Sequence, residues 1–182
     1  MPSKKGKRSP QGLTICYTGN GKGKTTAALG LGLRALGGGK RVLIVQFMKN
    51  APYGEHAILK KIPRLTLKIF GKGFCKIKGD CFPLAVHKKA ACEAIAFTCR
   101  ALKTKKYDMI ICDEINCAYL CKLITLKDIQ KLLRAKPSTV HLVCTGRGAP
   151  RLLMKHAHLV SEVREIKHPF RKGFPAQEGI EF

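Results

Sequence analysis

The sequence predicts an α/β fold: a mainly parallel sheet with helices on both faces. Three observations lead there. Short apolar runs rich in β-branched residues alternate with helical stretches along the chain. A glycine-rich loop joins the first run to the first helix, and a later apolar run ends in two adjacent carboxylates. The runs lack polar alternation, as strands buried on both faces require. With 182 residues, 45% of them hydrophobic, the chain is long enough for one such domain.

Residues 1–11 read as a basic flexible tail, and 12–182 as a single domain. Leu13 to Thr18 is the first strand. Thr25 to Leu36 is a helix closed by Gly37-Gly38-Gly39, since glycine accepts the left-handed turn at a helix end. Arg41 to Phe47 is the next strand, and its Val-Leu-Ile-Val run implies burial on both faces. A short helix around Glu55 to Lys61 and an edge strand near Leu65 to Ile69 follow. Phe70 to Pro83 carries three glycines and reads as a loop. Leu84 to Lys103 is a long amphipathic helix. Met109 to Cys112 is a buried strand ending in Asp113-Glu114. Leu126 to Arg134 is helical and Pro137 marks its end. Thr139 to Thr145 is a strand before the Gly146-Arg147-Gly148 turn. Arg151 to His156 is a short helix, Leu159 to Arg164 a last strand, and Lys167 to Phe182 irregular.

Gly19-Asn20-Gly21-Lys22-Gly23-Lys24-Thr25-Thr26 sits at the first strand-to-helix junction. That context makes it a phosphate loop. Its glycines let backbone N–H groups turn inward as an anion nest, and the new helix adds its positive dipole end. Lys24 supplies a mobile cation, and the Thr25 hydroxyl is placed for Mg²⁺. The standard pattern is G-x-x-x-x-G-K-[ST]. Here Gly19 and Gly23 enclose only three residues, and Thr18 stands in the place of the first glycine, so the loop is tighter. Asp113-Glu114 lies where strand carboxyl ends face a ligand crevice, which suits a Mg²⁺ role, direct or through water. Arg147 can clamp a phosphate bidentately or stand solvated in its turn; spacing leaves both readings open.

No apolar stretch approaches the roughly 20 residues of a membrane span. Met1 to Pro10 is basic and polar, with no apolar run behind it to act as a signal peptide. The expectation is a cytoplasmic protein without membrane contact. Nine cysteines, an odd number with no CxxC pair, read as reduced, buried thiols. Cys112, Cys117 and Cys121 fit no standard zinc spacing. The net charge of +24 favours polyanions in general. It does not separate ATP from nucleic acid, or either from solubility.

Taken together these segments resemble the ATP:corrinoid adenosyltransferases of the phosphate-loop type. The likeness runs through Thr18 to Ala28, Arg34-Ala35-Leu36-Gly37, Val45-Gln46-Phe47-Met48-Lys49, Gly54-Glu55, Gly73-Phe74, Asp113-Glu114 and Thr145-Gly146-Arg147-Gly148. It closes on Lys167-His168-Pro169-Phe170 and Gln177-Glu178-Gly179-Ile180-Glu181-Phe182. The resemblance implies a RecA-like sheet, a homodimer, and ATP bound with its phosphate chain reversed relative to ordinary phosphate-loop enzymes. It implies that Co(I) of a reduced corrinoid attacks the 5′ carbon of ATP and that triphosphate leaves. Co(I) needs no activating side chain, and no Ser/His/Asp or Cys/His nucleophile is visible.

By the same resemblance Lys24, Glu114 and Arg147 are the catalytic residues. Gly19, Asn20, Gly21, Lys22, Gly23, Lys24, Thr25 and Thr26 hold the nucleotide, and Phe74 packs on the corrin's lower face. Thr25 and Glu114 hold Mg²⁺ (or Mn²⁺), with Asp113 in support. The implied partners are ATP, a corrinoid (cobinamide, cobalamin or cobyrinic acid a,c-diamide) and a Co(II) reductase such as a flavoprotein; nucleic acid is not expected. The basic tail either folds over the corrinoid or solubilises the chain. One departure stands out. Where the family commonly has Gly-Phe, one residue and Trp, this chain has Gly73-Phe74-Cys75-Lys76 and no Trp at all. Displacement of cobalamin's lower ligand is therefore expected to be weak. Two other readings are a nucleic-acid-stimulated NTPase on the same fold and a non-catalytic corrinoid- or ATP-binding carrier.

Overall fold

A computed structural model of the chain describes residues 11–50, 53–73, 75 and 80–180. Among the described residues six strands form one sheet: β1 (Thr14–Thr18), β2 (Val42–Gln46), β3 (Leu65–Ile69), β4 (Met109–Asp113), β5 (His141–Thr145) and β6 (Leu159–Glu162). All pairings are parallel, in the order β3-β2-β4-β5-β1-β6. The helices among the described residues are α1 (Lys24–Gly37), α2 (Gly54–Leu59), α3 (Leu84–Lys103), α4 (Ile115–Leu120), α5 (Leu126–Ala135) and α6 (Arg151–His156).

Side chains alternate across each strand, and the two faces fill separate cores. Cys16, Leu43, Val45, Ile110, Cys112, Leu142 and Cys144 meet Ala94 and Leu102 of α3, Ala118 of α4, Ile129 of α5 and Leu153 of α6. Ile15, Val42, Ile44, Met109, Ile111 and Val143 meet Ala28 of α1 and Leu59 of α2. This is the arrangement the continuous apolar runs predict. Cys112, Cys144 and Cys16 form a lateral row across β4, β5 and β1, fully buried. Burial, with Cys144 beside it, pushes the Cys16 thiol up to about 12. Cys81 and Cys92, in contrast, are exposed.

The topology brings one set of strand ends together. β5 lies between β1, which feeds the glycine-rich loop, and β4, which ends at Asp113. The register opposes Gln46 to Asp113 and Cys112 to Cys144, so Gln46, Asp113 and Thr145 form the last row at the carboxyl edge. Two local features depart from the sequence reading. Ile115–Leu120 is helical, a turn too short for periodicity to reveal, with Ile115 and Ala118 buried beneath it. A 3₁₀ turn over Pro169–Lys172 interrupts the C-terminal segment expected to be irregular; His168 caps it by accepting the Phe170 N–H.

Leu102→Ala removes a fully buried side chain from the larger core. It is expected to cost about 2–5 kcal/mol, seen as a lower urea midpoint with an unchanged denaturant slope.

Candidate functional site

The site begins with a buried charge. Asp113 is only 1% exposed, and each carboxylate oxygen is engaged. Oδ1 accepts the Thr25 hydroxyl at 2.8 Å and the Thr145 hydroxyl at 2.8 Å. Oδ2 accepts the Gln46 amide at 3.3 Å and lies 3.7 Å from the Lys49 ammonium. A buried carboxylate is tolerated only when its lone pairs are met in this way. Asp113 is therefore the hub that sets Thr25, and Thr25 spends its only hydroxyl proton on it.

Glu114 has another environment. Its backbone is left-handed (φ 62°), which ends β4 and turns into α4. Its N–H donates to the Thr145 hydroxyl at 2.9 Å. The Cys117 thiol lies close enough to its carboxylate to lower the Glu114 pKa, and the Cys117 sulfur accepts the Arg147 N–H at 3.2 Å. Burial, then the carboxylate of Glu114, pushes the Cys117 thiol up to about 12. Glu114 Oε2 is buried and has no hydrogen-bond partner. Burial first and Asp113 second raise the Glu114 pKa, against the pull of Lys24 and Lys49. Gly146 leaves the room that Oε2 occupies: a Cβ there would come within 3.1 Å of it.

The phosphate loop is gripped from the chain's C-terminal side. The Gly21 N–H donates to Val163 O at 2.8 Å, so this N–H is engaged by the segment after β6 and not turned into the nest, as the sequence reading had it. A Cβ on Gly19 would lie 2.4 Å from Val163 O, and one on Gly21 2.6 Å from Arg164 O. These two glycines thus answer a close backbone approach. Gly23, at φ 111°, caps α1. Lys24 donates to Gly21 O at 2.6 Å. Burial lowers its pKa and Arg147 adds to the effect, while Glu114 opposes it. Lys22 reaches the other way, to Ile180 O at 2.6 Å.

Helix α2 contacts the same hub. Lys49 donates to Glu55 at 2.7 Å and lies over the Tyr53 ring at 4.5 Å. Burial works against its charge, yet Asp113 and Glu55 carry its pKa above the ordinary lysine value. His56, 2% exposed, joins its Nε2 to Gln46 Oε1 at 2.7 Å, and its Nδ1 accepts the Tyr53 N–H at 3.2 Å. Burial lowers its pKa.

Lys24, Thr25, Asp113 and Glu114 are thus brought together. Asn20, Thr26 and the Arg147 side chain are exposed, and Arg147 reaches the site through its backbone and its charge. Phe74, Lys76 and residues 1–10 lie outside the described residues. Thr145, Gln46, Lys49, His56 and Cys117 had no role in the sequence reading. One signal was present: Gln46 and Thr145 are polar residues at the carboxyl ends of otherwise apolar strands, where ligand crevices form.

Residues 10–182 match the family described as ATP:corrinoid adenosyltransferase BtuR/CobO/CobP. The corrinoid adenosyltransferase of Pseudomonas aeruginosa is 33% identical over 96% of this chain and 86% of its own length. The corrinoid adenosyltransferase CobA of Salmonella typhimurium is 36% identical over 94% of this chain and 86% of its own. Among solved structures, the RadB recombinase aligns with a TM-score of 0.54 at 14% identity, covering 88% of this chain and 78% of that one. A KaiC-like protein from Pyrococcus horikoshii aligns with a TM-score of 0.52 at 18% identity, covering 87% and 76%. These two establish the fold alone, a RecA-like one.

Gly21→Ala should displace the loop, because the added methyl meets backbone. Gly30→Ala meets nothing within 4 Å in α1 and should stabilise the helix by about 0.5–1 kcal/mol. Calorimetric titration with ATP is expected to show binding lost in the first variant and kept in the second.

Proposed function

The chain belongs to the ATP:corrinoid adenosyltransferase family, and we propose that the site built on Asp113 binds the ATP triphosphate and a divalent cation for this reaction. The enzyme transfers the adenosyl group of ATP to a corrinoid. The observation that carries the site assignment is the contrast between two adjacent carboxylates: Asp113 is saturated, while Glu114 Oε2 is buried and unpartnered.

That donor set fits Mg²⁺ or Mn²⁺. Glu114 offers a hard anionic oxygen, and the Thr25 hydroxyl keeps its lone pairs free because its proton goes to Asp113. Among the described residues no three His, Cys, Asp or Glu side chains gather as a metal cage. Mg²⁺ commonly takes one or two carboxylates together with substrate phosphates, so none is needed. When bound, the cation neutralises charge on the triphosphate.

In the reaction a Co–C bond forms between Co(I) of the reduced corrinoid and the 5′ carbon of ATP. The C5′–O bond breaks, and triphosphate leaves with the bonding pair. The protein's part is to hold the 5′ carbon in line and to meet the charge that grows on the leaving group. Lys24, resting on the Gly21 carbonyl, turns to the phosphates when ATP enters. Backbone N–H groups at the start of α1 complete the cradle. Arg147 adds positive charge at its mouth.

The same reading extends to a homodimer and to a Co(II) reductase such as a flavoprotein. Exposed Ile166, Phe170, Phe174 and Ile180 in the C-terminal segment support a covering partner. It also extends to a cytoplasmic location. As a separate matter, no helix of the described residues is long and apolar enough to cross a membrane.

Phosphorus NMR of the products tests the reaction. Inorganic triphosphate is expected; ADP with phosphate would point to an NTPase instead. Lys24→Ala should lower turnover by on the order of 10²-fold, with the far-ultraviolet circular dichroism spectrum unchanged. Glu114→Gln should raise the Mg²⁺ concentration needed for half-maximal rate while leaving the melting temperature nearly unchanged.

A further inference from the structure

The hydrogen bonds around Gln46 have only one consistent polarity. Both oxygens of Asp113 accept, Oδ1 from two hydroxyls and Oδ2 beside the Lys49 ammonium, so Gln46 must present its NH₂ group to Oδ2. Its Oε1 then faces His56 Nε2 at 2.7 Å, which must carry the proton. His56 Nδ1 is left as an acceptor, and the Tyr53 N–H donates to it at 3.2 Å. The direction set at the carboxylate therefore runs unbroken from β4 through β2 to the first turn of α2. Each group has one role left to it, and all three side chains are buried: Gln46 0%, His56 2% and Asp113 1% exposed. A protonated His56 would set an N–H against the Tyr53 N–H, so only the neutral Nε2–H form fits.

We propose that His56 is a positioning residue for the nucleotide–metal site: it locks the Gln46 amide, which holds Asp113, which in turn holds the Thr25 hydroxyl. Without the imidazole donor the Gln46 amide loses the partner that distinguishes its two ends. It can then turn its oxygen toward Asp113 Oδ2, where two acceptors repel. The carboxylate shifts, and Thr25 follows because its hydroxyl is bonded to that same group. Lys49, bridging Glu55 and Asp113, is a second link from the same turn of α2 but carries charge only. It cannot choose the orientation of an amide. This inference rests on the proposed cation site at Thr25 and Glu114.

Two measurements test it. In ligand-free protein labelled with ¹⁵N-histidine, the His56 ring should show the neutral Nε2–H tautomer. A Nδ1–H tautomer or an imidazolium at pH 7 would overturn the polarity argument. Free Mn²⁺ measured by electron paramagnetic resonance, in the presence of ATP, then reports the site itself. His56→Leu should weaken Mn²⁺ binding about tenfold, as for other groups that orient a metal's ligands. Gln46→Leu should do the same, and the double variant should be no worse than Gln46→Leu alone, since both cut one relay. His56→Gln, whose Nε2 can still donate, should recover most of the affinity; it serves also if His56→Leu does not fold. Wild-type affinity in His56→Leu, or losses that add in the double variant, would overturn the relay. If the wild-type protein with ATP binds no Mn²⁺, the cation site itself falls while the tautomer result still stands.

Discussion

Everything in this site depends on keeping one carboxylate charged where water is excluded. Asp113 lies at the end of a strand buried on both faces, and an unpaired charge there would cost several kcal/mol. Four side chains prevent this, and they come from different parts of the chain: Thr25 from α1, Thr145 from β5, Gln46 from β2 and Lys49 just beyond it. Meeting that requirement fixes the relative positions of the phosphate loop, the central strands and the first turn of α2. The charge thus organises the site without itself being the free ligand.

The neighbouring Glu114 shows the complementary use of burial. Its left-handed backbone, φ 62°, is a conformation that costs a non-glycine residue roughly 1–3 kcal/mol. The bond from its N–H to the Thr145 hydroxyl holds it there. One oxygen is kept dry and unpartnered beside a glycine. Such a group gains most from a cation, because the cation removes a desolvation cost already present in the fold. The C-terminal segment contributes in another way, by holding Gly21 and Lys22 through backbone carbonyls. The loop is therefore shaped before any nucleotide arrives, which lowers the cost of binding.

Much of the fold was legible in the sequence, because buried parallel strands and an amphipathic helix have strong periodicities. Leu65–Ile69, Leu84–Lys103 and Arg151–His156 have the bounds that pattern and punctuation suggest. Helix α4 escaped because a single turn and a half leaves no period to count. In the site, Lys24, Thr25 and the carboxylate pair could be read from a local motif. His56 and Lys49 could not, because their roles arise from register and packing between segments far apart in sequence. By spacing alone the two carboxylates are equivalent, and only the family resemblance ranks Glu114 above Asp113. Only the opposite faces and partners of a strand end separate a saturated Asp113 from an open Glu114. The glycines of the loop were read as serving an anion, whereas Gly19 and Gly21 answer the backbone of Val163 and Arg164 as well.

The most direct measurement is a crystal structure of the chain with ATP and Mg²⁺. The account predicts Mg²⁺ on the Thr25 hydroxyl, Glu114 and triphosphate oxygens, with Asp113 still accepting from Thr25 and Thr145. Direct ligation by Asp113, with those two hydroxyls turned away from it, would contradict the account.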